Sequence, residues 1–174
     1  MTKAKTIALC AVMIALALAL SYTERFIPLQ LIIPLPGIKL GLANVVTLVA
    51  LYRLKDRYAF AILIPRCILG AVFGGGITGL LFSLTGGVLA LLTMSLAKKA
   101  PFFSVYGVSI LGAAAHNVGQ VFAAMVLLRS VYVGAYLPWL LITAIVTGLL
   151  TGAAGIGIMH ALSYANISAP AERK

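Results

Sequence analysis

Apolar residues run through this chain in stretches too long and too frequent for the core of a water-soluble domain. Six can be traced, at 5–22, 39–52, 58–73, 77–97, 103–128 and 137–164. A bilayer core about 30 Å thick takes about 20 apolar residues of helix, and irregular backbone cannot face lipid. The pattern predicts an all-α integral membrane protein, a bundle of six transmembrane helices forming one domain over residues 1–174. Shorter runs such as 39–52 need cover from neighbouring helices or loops. The first run, behind Lys3 and Lys5, reads as a spanning helix rather than a cleaved leader, despite the small residues Ala17-Leu18-Ala19.

The net charge of +10 is not a nucleic-acid footprint. The cations stand in small groups at the ends of apolar runs, which is how membrane topology is set. With the N-terminus inside, Lys3, Lys5, Arg53, Lys55, Arg57, Lys98, Lys99, Arg173 and Lys174 fall on the cytoplasmic side, nine of thirteen. Both termini are therefore expected in the cytoplasm, with the chain multi-pass in its membrane.

Arg66 breaks this order, because it stands inside an apolar run. A charge in hydrocarbon costs at least about 2.5–3.5 kcal/mol, so it is usually functional. The side-chain acids are Glu24, Asp56 and Glu172, all outside the long apolar stretches. A cation with no resident anion suggests that the anion arrives from outside. Other polar residues share its depth. At 1.5 Å per residue, Arg66 lies roughly 12 Å and His116 roughly 18 Å from the inner ends of their helices. Asn117 and Gln120 follow His116 at a spacing that puts them on one face. Lys39 and Asn44 mark the outer part of the second run.

Lys39, Asn44, Arg66, His116, Asn117 and Gln120 can line a pocket open to the outside, where the cations hold a phosphate or carboxylate and the amides orient it. Plainer readings stand beside this one. Lys39 can snorkel to head groups, Arg66 can bond carbonyls freed by Pro65, and His116 and Asn117 can tie helices together. The segment 23–38, with Pro28, Pro34, Pro36 and Gly37, is no helix yet is apolar. It fits a lid over the outer mouth, or a loop lying in the lipid interface.

Small residues recur at Ala11, Ala15 and Ala19, a stripe for close approach of a helix inside or outside the bundle. Gly86, Gly87, Gly148, Gly152 and Gly155 read as packing positions, and Thr143, Thr147 and Thr151 as back-bonding to carbonyls. Gly74-Gly75-Gly76-Ile77-Thr78-Gly79 has glycines in a nucleotide-loop spacing, but it joins two membrane runs and reads as a tight turn. Cys10 and Cys67 are apolar fillers. Neither a carboxylate pair nor a set of metal ligands is apparent, so no catalysis, cofactor or metal is expected. Without an intramembrane acid for proton coupling, transport would draw energy from a partner.

The stretch Pro36-Gly37-Ile38-Lys39-Leu40-Gly41-Leu42-Ala43-Asn44-Val45-Val46-Thr47-Leu48 resembles a signature of the Gx transporter family, also labelled heptaprenyl diphosphate synthase component I. Ser83-Leu84-Thr85-Gly86-Gly87 and His116-Asn117-Val118-Gly119-Gln120 resemble the same family. That family is similar to the substrate-binding S components of energy-coupling factor (ECF) transporters. The resemblance implies a six-helix bundle with an outward pocket under the loop between its first two helices. It implies partners: a transmembrane coupling subunit and two ATPase subunits, met through an alanine stripe that maps onto Ala11, Ala15 and Ala19. The expected function is uptake of a small anionic amphiphile, such as a vitamin, quinone or isoprenoid precursor. The synthase label implies an alternative, a non-catalytic membrane accessory of a polyprenyl diphosphate synthase. Such enzymes hold magnesium diphosphate with aspartate-rich motifs, and the single aspartate Asp56 cannot build one.

Overall fold

A computed structural model of the chain describes residues 3–26 and 41–164, without the side chain of Arg25. Every regular element among them is helical: α1 (Lys3–Thr23), α2 (Asn44–Arg53), α3 (Asp56–Gly70), α4 (Gly76–Ala97), α5 (Val105–Leu128) and α6 (Leu137–Tyr164). Four stretches have the length and apolarity to cross a membrane: Lys3–Thr23, Asp56–Ala97, Val105–Leu128 and Val131–Tyr164. Asp56–Ala97 is a hairpin, not a rod. Its helical ladder breaks at Phe73 and at Gly74, whose φ of 108° suits glycine. The glycine-rich run is thus the expected tight turn. It lays α4 back along α3, so that Gly87 meets Leu63 and Arg66.

The second apolar run behaves differently from a span. It starts with a turn at Gly41 (φ 81°), and the helix proper is only ten residues long. Ten residues rise about 15 Å, half the bilayer core. Asn44 through Leu51 are all buried, so α2 is wrapped by protein on every side. It packs on α6 and α3 and also touches α1, α4 and α5. An apolar run that is buried all round looks the same in sequence as one that faces lipid.

Glycines and threonines serve the packing expected of them. A Cβ on Gly148 would come within 2.5 Å of the Ile110 backbone, and one on Gly155 within 2.9 Å of Leu48. Thr143 donates to the Leu140 carbonyl at 2.9 Å and Thr151 to Gly148 at 3.2 Å. Ser104 caps α5 by accepting from the Gly107 N–H at 3.3 Å. Cys10 and Cys67 are free thiols.

Charges collect at one end of the bundle. Arg53 donates to the Met159 carbonyl of α6, and Lys98 Nζ to the Leu51 carbonyl of α2 at 2.6 Å. Asp56 accepts from Ser95 across the α3–α4 hairpin. Lys3 of α1 borders the same hollow as Arg57 of α3. These contacts define a basic end, where α1 and α3 begin and α2, α4 and α6 finish.

Candidate functional site

Arg66 projects from α3 into the bundle and is only 6% exposed. Its Nε and Nη2 are sealed from solvent and have no hydrogen-bond partner among the described residues. Neither nitrogen therefore bonds a described carbonyl near Pro65. Gly87 makes room for the guanidinium, since a Cβ there would lie 3.3 Å from Nη2. Arg66 also lines a cavity of about 440 Å³ between α1, α3 and α4, together with Leu18, Tyr22, Gly70, Phe73 and Ser83. That volume is within the range of small-ligand pockets.

One expectation from sequence needs correction. Glu24 lies outside the apolar runs in sequence, but not in space. The 3-10 turn Glu24–Phe26 that ends α1 folds it inward, where it is 5% exposed. Its Oε1 accepts the Leu42 backbone N–H, and its charge acts on Arg66. Arg66 therefore does have a resident anion nearby. The sequence missed it because a carboxylate just past a helix end can turn to either side.

Beside Arg66, a second polar group presses on α4. A Cβ on Gly41 would lie 2.9 Å from Asn44 Nδ2 and 3.3 Å from His116 Nε2, so the Gly41 turn brings these side chains together. A Cβ on Gly86 would meet His116 Nδ1 at 2.8 Å. The adjacent glycines Gly86 and Gly87 thus let His116 and Arg66 press on α4 side by side. Asn44 is 6% exposed and Thr47 1%. Asn44 Nδ2 and Oδ1 and Thr47 Oγ1 are also buried without partners among the described residues. Gln120 is fully buried.

Asn117 points elsewhere. Its Nδ2 donates to the Leu140 carbonyl at 2.6 Å, tying α5 to α6. Interhelical side-chain bonds in membranes average about 0.6 kcal/mol and reach about 1.7. Asn117→Ala should accordingly lower the thermal stability of the detergent-solubilised protein by about 1 kcal/mol. Ligand affinity should stay within about twofold of the parent, as checked by denaturation and binding in parallel.

Lys39 and most of the expected lid, 27–38, lie outside the described residues. Ala11, Ala15 and Ala19 are exposed along α1, and Ala19 borders the Arg66 cavity. The stripe is thus not spent on packing inside the bundle, where α1 buries Met13 and Ala17 instead. Glu24, Thr47 and Ser83 are site residues that sequence reading overlooked. Thr47 was within reach, three residues from Asn44 on the same helical face.

No curated protein and no solved structure matches this chain. A family model described as heptaprenyl diphosphate synthase component I matches residues 13–157, from the middle of α1 to the last turns of α6. With so much of its length matched, the chain belongs to the heptaprenyl diphosphate synthase component I family.

Proposed function

We propose that this protein is the binding subunit for a small anionic amphiphile, working in uptake of the ECF type. In this reading the six helices form a single membrane domain in a bacterial plasma membrane, with the basic end and both termini in the cytoplasm. The alanine stripe meets a coupling subunit that carries two ATPases. One observation carries the proposal. Asn44 Nδ2 and Oδ1, Thr47 Oγ1, and Arg66 Nε and Nη2 are buried and unpartnered among the described residues, and Arg66 also lines a preformed cavity. Each such atom costs about 1–3 kcal/mol. A fold that keeps five of them gains most from a polar guest. Arg66 and Lys39 against Glu24 leave one positive charge over, which favours an anion. The lid 23–38 closes over the guest, while His116 and Gln120 complete the polar wall.

Purified protein should bind one member of a panel of prenyl phosphates, quinone precursors and vitamins. Asn44→Ala should weaken that binding about tenfold, as for one lost hydrogen bond to a charged guest. Unchanged affinity in both Asn44→Ala and Lys39→Ala would sink the shared anion pocket.

The family description supports a second reading, a non-catalytic membrane accessory that holds lipid product for a soluble synthase. Affinity capture from the native membrane separates the two. ATPases and a coupling subunit support uptake, whereas an aspartate-rich synthase supports the accessory role.

A further inference from the structure

Helix α1 is held to the bundle along a narrow line. Only Met13 and Ala17 of its 21 residues are buried. They join the apolar cluster that contains Ile62 and Leu63 of α3. On either side of this pinch a hollow opens beside the two helices. Towards one end lies the cavity with Arg66, Tyr22, Phe73 and Ser83. At the basic end lies a second hollow of about 480 Å³, lined by Lys3 and Ile7 of α1 and by Arg57 and Tyr58 of α3. Both hollows carry cations, and no described carboxylate lines either one.

The rims of both face outwards on the flank of the bundle. Ile7 is 69% exposed, Phe73 64% and Tyr22 54%. Around a membrane protein this flank meets lipid chains. Arg57 is held ready in the lower hollow: its Nη2 donates to Tyr58 Oη at 3.0 Å, and its guanidinium lies 4.7 Å from the Tyr58 ring centroid. Arg66 is ten residues into α3, about 15 Å along it and near the bilayer midplane. Its separation from Arg57 along the helix is about 14 Å.

We propose that the α1–α3 seam is a lateral path for the phosphate head of an anionic amphiphile. Arg66 is one station and the Lys3–Arg57 pair the other, while the apolar chain stays in the bilayer. This deepens the binding-subunit reading, and rests on it, by adding a route. A phosphate cannot cross hydrocarbon bare. A guanidinium halfway supplies charge-assisted hydrogen bonds where the barrier is highest. The hydroxyls of Tyr22 and Ser83 add partners in the same cavity. The pinch at Met13 and Ala17 must open for passage, and a helix with so few buried residues is the easiest element to displace.

The test reconstitutes the full chain in phosphatidylcholine vesicles containing a chain-tagged NBD prenyl phosphate, with tagged phosphatidylcholine as control. Dithionite outside then reports movement from the inner leaflet. The protein should speed transfer of the prenyl phosphate about 100-fold over protein-free vesicles, and leave phosphatidylcholine unmoved. Arg66→Gln should return the rate to that of protein-free vesicles. So should Lys3→Ala/Arg57→Ala, whose exposed positions spare the fold. If the protein binds prenyl phosphate in a thermal-shift assay but does not move it, the path is wrong and the binding reading stands. Absence of binding removes both. Equal transfer of phosphatidylcholine, or full transfer by both variants, overturns selection of the head by these cations.

Discussion

Gly119→Leu should leave almost no monodisperse protein after detergent extraction, whereas Gly157→Ala should behave as the parent or slightly better. Both glycines lie inside long apolar helices, and their surroundings decide the difference. A Cβ on Gly119 would sit 2.6 Å from the Thr85 carbonyl oxygen and 2.8 Å from the Gly86 Cα. Those are backbone atoms of α4, so no rotamer change relieves the clash and a whole helix has to move. Overpacking commonly costs about 1–3 kcal/mol when side chains can adjust, and more where they cannot. Around Gly157 nothing lies within 4 Å of an added Cβ. There the substitution removes only the helix penalty of glycine, about 0.5–1 kcal/mol. Size-exclusion profiles and thermal unfolding of the two variants test the contrast. Parent-like stability of Gly119→Leu would show that α4 and α5 are not in backbone contact. The consequence reaches the site, because this crossing presses His116 against Gly86 and sets it beside Asn44.

That crossing explains two sequence segments at once. Ser83-Leu84-Thr85-Gly86-Gly87 and His116-Asn117-Val118-Gly119-Gln120 are distant in the chain, yet they meet backbone to backbone. Glycine spacing suggested packing without naming the partner, since a small residue only permits close approach. Helix content, the glycine turn and the buried depth of Arg66, Asn44, His116 and Gln120 were legible from apolar runs and their interruptions. The length of α2 was not, because hydropathy records that a residue avoids water and not whether protein or lipid replaces it. Asn117 shared a face with Gln120 in sequence, but its amide found the Leu140 carbonyl within reach, and a mid-helix amide takes the nearest acceptor. Glu24 was misjudged because charge was counted along the chain. One turn of 3-10 helix after α1 was enough to carry it inside.

Arg66→Leu and the double variant Arg66→Leu/Glu24→Gln should separate stability from binding. Arg66→Leu alone removes the cation and leaves the buried Glu24 carboxylate with the Leu42 N–H but without Arg66. Breaking a directly bonded buried charge pair from one side costs about 3–5 kcal/mol, an upper limit here because Nε and Nη2 of Arg66 bond no described group. The second substitution takes away the stranded charge, and a glutamine oxygen still accepts the Leu42 N–H. Because replacing buried ions by neutral groups is often neutral or stabilising by about 1–4 kcal/mol, the double variant should unfold at or above the parent temperature. Two sealed guanidinium nitrogens without described partners add to that expectation, since their loss removes an existing cost. Binding should not follow stability. Both variants lack the guanidinium, so both should lose at least about 30-fold in affinity for the anion, the equivalent of about 2 kcal/mol. Unfolding curves and titrations on the parent, both single variants and the double complete the cycle. Should the double variant recover affinity along with stability, Arg66 serves only to neutralise Glu24. Equal stability of Arg66→Leu and the double would mean that the two charges do not act on each other. The expected result, a rescued fold without a rescued ligand, sets Arg66 apart as a residue kept at a cost to the empty protein for what it does when the site is filled.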